Sequence, residues 1–201
     1  MRRRHLLKSA AASLAAPRLA RAEAARVLKF VPQGDLALLD PVQTPLFVTR
    51  NHALLVFDTL YGTDAEWKVQ PQMVEGHLVE DDGKSWKLTL REGLRFHDGS
   101  PVLARDVAAS LRRWGKRDGF GLALLAATDD IAAPSDRVVQ FRLKKPFPRL
   151  PDALGKAGSN IAAIMPERLA LTDPFTQITE MVGSGPYKFL SSERVAGSRA
   201  V

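Results

Sequence analysis

Asp81-Asp82-Gly83-Lys84-Ser85-Trp86-Lys87-Leu88-Thr89-Leu90-Arg91-Glu92-Gly93-Leu94-Arg95-Phe96-His97-Asp98-Gly99-Ser100-Pro101 carries the densest structural signal in a chain of 201 residues. Trp86, Leu88 and Leu90 alternate with Lys87, Thr89 and Arg91, which is the period of a strand with one buried and one wet face. The polar run Asp81-Asp82-Gly83-Lys84 separates that strand from Gly76 to Glu80 and predicts a hairpin. Gly83 and Gly99 suit turns that need a positive φ, and the Asp98 carboxylate is placed to accept from an amide two residues on. After the turn His97 to Pro101, the residues Val107, Leu111 and Trp114 recur at helical spacing, so Arg105 to Trp114 reads as a helix with one apolar stripe. Asp106 falls in its first turn, where a carboxylate suits the exposed amides. Arg105, Arg112 and Arg113 are left largely for solvent.

Upstream, Val27, Leu28, Phe30 and Val31 form a nearly continuous apolar run, and Arg26 to Val31 is predicted to be a buried strand ended by Pro32-Gln33-Gly34-Asp35. Past Asp40-Pro41, the segment Phe47 to Leu60 places Leu54, Phe57 and Leu60 on one side and predicts a helix, broken at Tyr61-Gly62-Thr63-Asp64. Downstream, Leu122 to Thr128 is a weaker helix. Val139, Phe141 and Leu143 alternate with polar residues in a strand that Pro146 stops. Short elements are expected around Ala153 and Glu167, and Tyr187 to Leu190 is a strand in need of a partner.

The net charge of +7 and pI near 10.0 suggest an anionic partner until their location is examined. Met1 to Ala22 holds six basic residues and no acidic one; removing these six from 29 leaves 23 basic residues against 22 acidic, a net of +1. A basic start, an Ala-rich weakly apolar stretch and Ala20-Arg21-Ala22 ahead of Glu23 form a cleavable export signal, with cleavage expected after Ala22. Arg3-Arg4-His5-Leu6-Leu7-Lys8 resembles the twin-arginine export motif. The absence of cysteine removes disulfides, thiolate metal sites and a lipid-anchored start.

Other chemistry is weakly supported. His97, Asp98 and Ser100 have the residue types of a hydrolytic triad, but all three sit in one tight turn, whereas a triad converges from separate segments. His52, His77 and His97 lack the short spacing of metal ligands, so no metal or cofactor is expected. Arg112, Arg113, Lys116 and Arg117 read as a solvated helix face, not a phosphate site, so no nucleic acid partner is expected.

Three separated stretches carry a resemblance: Leu39-Asp40-Pro41, the quoted block with its continuation Asp106-Val107 and Ser110-Leu111, and Gly183-Ser184-Gly185-Pro186-Tyr187. Together they resemble the solute-binding protein family 5, which includes the dipeptide-, oligopeptide- and nickel-binding proteins of ABC importers. Two departures stand at the helix start, where Leu103 replaces a capping Thr and Arg105 a Glu; a start weaker by ~1 kcal/mol follows. The resemblance implies an α/β fold of the periplasmic-binding-protein-like type II, truncated, with a partial first lobe, an extra subdomain and the second lobe missing. Residues 1–22 would be the export signal, 23–46 the start of the first-lobe sheet, 47–180 the extra subdomain and 181–201 the return to that sheet. It also implies capture of peptides for import without chemistry on the ligand, with a nickel chelate or haem as alternatives. The partners would be a small ligand and the membrane permease, the place the periplasm, and the full-length protein a monomer. Positions resembling ligand-lining regions are Gln33, Gly34, Asp35, Phe120, Ser159 and Asn160. Isolated residues 23–201 would be marginally stable and prone to association.

Overall fold

A computed structural model describes residues 28–200. The export signal and its cleavage point therefore lie outside the described residues. So do Arg26 and Val27, the first two residues of the expected opening strand.

Leu28–Val31 end a first unit of the chain. They form no strand, and Leu28, Phe30 and Val31 are exposed. A strand is held by ladder bonds to a neighbour, and among the described residues these four make none, so the expected strand does not form there.

The second unit runs from Pro32 and begins its regular structure with α1 (Phe47–Val56). This helix is shorter than its sequence pattern suggests. Thr49, Ala53 and Val56 are its buried residues, while Leu54 is exposed. Phe57 and Leu60 are buried as expected, but on extended chain beyond the helix end. The next residues do not merely break a helix: β1 (Tyr61–Thr63) pairs antiparallel with β2 (Val69–Pro71) in a small ribbon.

The hairpin forms as the alternation requires. β3 (Val74–Glu80) and β4 (Ser85–Leu90) pair antiparallel with Glu80 opposite Ser85, and Gly83 takes a φ of 85° in the turn. Gly99 has a φ of 87°, and the Asp98 carboxylate accepts from Ser100 N at 3.0 Å. Three helical or strand elements follow before the sheet is complete: α2 (Ala104–Gly115), α3 (Gly119–Ala127) and β5 (Thr128–Ala132). β6 (Val138–Leu143) then enters between β4 and β5, giving a four-stranded antiparallel sheet of order β3-β4-β6-β5. Trp86 faces Phe141 and Leu88 faces Val139, and all four are buried. Such cross-strand pairs are where a sheet gains much of its stability. Helix α2 packs on β5 and β6 with Val107, Leu111 and Trp114 buried. Short α4 (Leu150–Gly155) and α5 (Glu167–Ala170) complete the regular structure, α5 against α2.

The start of α2 shows how its missing cap is tolerated. Leu103 has the extended backbone of a capping residue but offers no side-chain acceptor. Asp106 supplies the other half of the arrangement, accepting Leu103 N on one oxygen and Glu167 N on the other, both at 2.8 Å. Arg105 pairs with Glu167 at 3.6 Å, which gives that departure a local charge partner.

Candidate functional site

Asp40 is the centre of a buried polar hub. Its side chain is fully buried, and Oδ1 and Oδ2 accept Val42 N at 2.9 Å and Ile178 N at 3.0 Å. Arg113 meets the same carboxylate through two bonds, at 3.1 and 2.7 Å, and donates again to Thr172 O and Thr176 O. Arg113 was expected to face solvent; it is buried instead, because it continues at helical spacing the buried polar face of Asp106 and Ser110 and meets the incoming Asp40 there. Bidentate geometry and filled lone pairs are what make a buried pair tolerable. Arg117 is only partly covered, donating to Gln43 O and lying 4.5 Å over the Phe175 ring.

A second set of contacts seats Gly183-Ser184-Gly185-Pro186-Tyr187. His97 N donates to Gly183 O at 2.8 Å, and His97 Nε2 donates to Gly185 O at 2.8 Å. Gly185 N and Tyr187 N donate to Val56 O and Leu55 O at the end of α1. A Cβ at Gly183 would stand 2.0 Å from Val56 O, so only glycine permits this approach. Ser184 Oγ and Gln72 Nε2 donate to the Asp58 carboxylate at 2.9 and 2.8 Å. Burial nevertheless raises the Asp58 pKa above its ordinary value, outweighing those bonds and the nearby His97. The expected strand Tyr187 to Leu190 is not formed; its first amide, Tyr187 N, is engaged by Leu55 O and no strand lies beside it among the described residues.

The triad residues are separated by this geometry. Ser100 Oγ donates to Asp98 at 2.6 Å while His97 turns to Gly185, so the imidazole and the hydroxyl do not meet. His77 Nδ1 is hydrogen-bonded to the Tyr61 hydroxyl at 2.8 Å, while His52 lies edge-on to Phe189 with its Nδ1 buried and unpartnered. No cluster of metal-ligating side chains occurs among the described residues.

Among the described residues, two surface depressions stand close to these segments. One, of about 470 Å³, is lined by Leu39, His97, Met181, Val182, Phe189 and Arg194 among others. The other, of about 660 Å³, lies between the start of α3 and the chain following α4, and it brings together Phe120 and Ser159. Asn160, next to Ser159, points the opposite way: its buried side chain donates to Pro41 O and Val42 O, and its backbone carbonyl accepts from Trp114 Nε1 at 2.9 Å. Gln33, Gly34 and Asp35 form an exposed bend away from either lining. Sequence reading passed over Asp118 and Lys156, which form the floor of the larger depression. Asp118 was recoverable as the capping residue of α3, whose Oδ1 accepts Phe120 N and Gly121 N.

Residues 68–201 match the model of the bacterial extracellular solute-binding proteins, family 5 middle region. The chain belongs to family 5 of the extracellular solute-binding proteins. Among curated family 5 relatives, a probable peptide ABC transporter periplasmic-binding protein of Sinorhizobium fredii is 38% identical over 194 residues, covering 93% of this chain and 36% of that protein. The glutathione-binding protein GsiB of Salmonella typhimurium is 30% identical, covering 77% of this chain and 30% of that protein. Among solved structures, the Agrobacterium binding protein AgaA in complex with agropinic acid aligns with a TM-score of 0.64 at 28% identity, over 78% of this chain and 32% of AgaA. Haemophilus influenzae OppA in complex with the peptide RPPGFSPFR aligns at 0.66 with 20% identity, over 83% of this chain and 36% of OppA, and shares the fold. The fold is thus periplasmic-binding-protein-like, and the chain spans about a third of the length of the curated relatives it matches.

Proposed function

We propose that this chain works as part of the solute-binding component of an ABC importer, capturing peptides outside the cytoplasm and presenting them to a membrane permease without chemical change. The observation that carries the reading is the 38% identity, over 93% of this chain, to the Sinorhizobium protein named for peptide transport. On this reading residues 23–46 and 181–201 contribute to the first lobe, residues 47–180 form its extra subdomain, and ligand is closed between that lobe and a second. Gln33, Gly34, Asp35, Phe120 and Ser159 face the ligand cleft. Asn160 contributes by fixing the loop that carries Ser159. The leader exports the protein by the twin-arginine route, which an Arg3→Lys, Arg4→Lys leader fused to a reporter tests: undiminished export rejects that route.

Calorimetry of the mature protein as its host exports it, titrated with di- to oligopeptides, tests the ligand class. Saturable heat with peptides supports the proposal. Silence with peptides and heat with a nickel chelate or haem transfers the chain to another branch of the family. No heat with any of them removes the transport reading.

A further inference from the structure

The larger depression has a charged floor of one accessible sign. Asp118 is 1% exposed, and its oxygens already serve Phe120 N, Gly121 N and Lys156 Nζ. Lys156 is 18% exposed and donates to Asp118 and, at 2.8 Å, to Gly158 O. An ammonium carries three protons. Two are committed and the third is left for whatever enters.

The surroundings suit a ligand. Phe120 presents a half-exposed ring at the rim, and a Cβ at Gly119 or Gly158 would meet nothing within 4 Å, so the backbone on both sides is open to close approach. Ser159 sits at the rim with a φ of 58°, a left-handed backbone that a serine adopts at a cost. Asp118 is poorly placed to serve an incoming cation, since it is 1% exposed and already accepts three hydrogen bonds, one of them from the Lys156 ammonium. The group that gains most is an acceptor bearing negative charge, for which a partly desolvated ammonium gives a charge-assisted bond.

From this geometry we infer that Lys156 is a specificity-determining residue that binds a carboxylate of the captured solute, with Asp118 as its positioning residue and Phe120 flanking an apolar group beside that carboxylate. The inference rests on the solute-binding reading and names the ligand chemistry at one end of it.

The test is nuclear magnetic resonance titration of the isotope-labelled mature protein, as its host exports it, with N-acetyl-phenylalanine and, separately, with its uncharged amide. The acid should shift the amides of Gly119, Gly158 and Ser159 saturably, and the amide should bind at least about tenfold more weakly, the size expected for one charge-assisted hydrogen bond. Lys156→Arg should retain the preference for the acid and Lys156→Met should lose it. Because Lys156→Met strands the buried Asp118 charge, the double variant Asp118→Asn, Lys156→Met keeps the helix cap without that charge and should show the same loss. Equal binding of acid and amide, unchanged preference in the double variant, or no saturable shift at those amides overturns the assignment. Peptide heats from the exported protein with no acid preference here would leave the transport reading standing and remove this one alone.

Discussion

Asp40 and Arg113 show how much a single side-chain pair can hold. Each is buried, each has its hydrogen-bonding capacity largely filled, and each leaves the other uncompensated when removed. Asp40→Ala should therefore cost about 3–5 kcal/mol of stability, well above an ordinary surface change, as read from the shift in urea midpoint. A loss under about 1 kcal/mol would show that water replaces the carboxylate. His52 offers a pH-dependent counterpart. Burial first, and the Arg194 cation second, hold its pKa below 6.5. The unfolded chain therefore takes up the proton first as pH falls. The stability that neutral His52 gives is complete above pH 6.5 and is lost as pH drops from there toward the lower folded value. His52→Gln should flatten the decline in Tm between about pH 7 and about pH 5 relative to the parent chain. Identical slopes would mean that the imidazole is solvated.

At the scale of elements, sequence reading succeeded where one local pattern decides the outcome. Trp86, Leu88 and Leu90 in β4 and Val139, Phe141 and Leu143 in β6 alternate strictly, and the burial follows the alternation. It failed where a pattern is shared by two structures. Phe57 and Leu60 fit a helical stripe, yet both are buried on the extended chain leading into β1, which has only three residues to announce itself. β5 went unread because Thr128-Asp129-Asp130 resembles a helix end more than an edge strand. In the candidate site, Phe120 and Ser159 came from the resemblance and do share a depression. Lys156 did not, since no local signal marks a lysine that will be covered by an aspartate 38 residues earlier. Gly183→Ala tests the seating of the Gly183–Tyr187 segment. Its Cβ would overlap Val56 O, so it should destabilise by about 1–3 kcal/mol and speed hydrogen exchange of the His97 amide. Unchanged exchange at His97 would show that the segment re-seats without strain.

For the whole molecule, the contrast between near and distant partners sets an order of events. The β3–β4 hairpin closes over a four-residue turn, whereas Asp40 finds Arg113 73 residues later and Ile178 138 residues later. Closing long loops costs entropy before any contact repays it, so distant pairings tend to come late along a folding route. The hub around Asp40 should then be absent at the folding transition state and act as a brake on unfolding alone. In stopped-flow urea experiments Asp40→Ala should steepen escape from the native state while leaving the refolding limb almost where it was. A refolding rate that falls in proportion to the stability would place the hub in the nucleus. A chain built this way would owe its lifetime outside the cytoplasm less to how fast it forms than to how slowly that last knot comes undone.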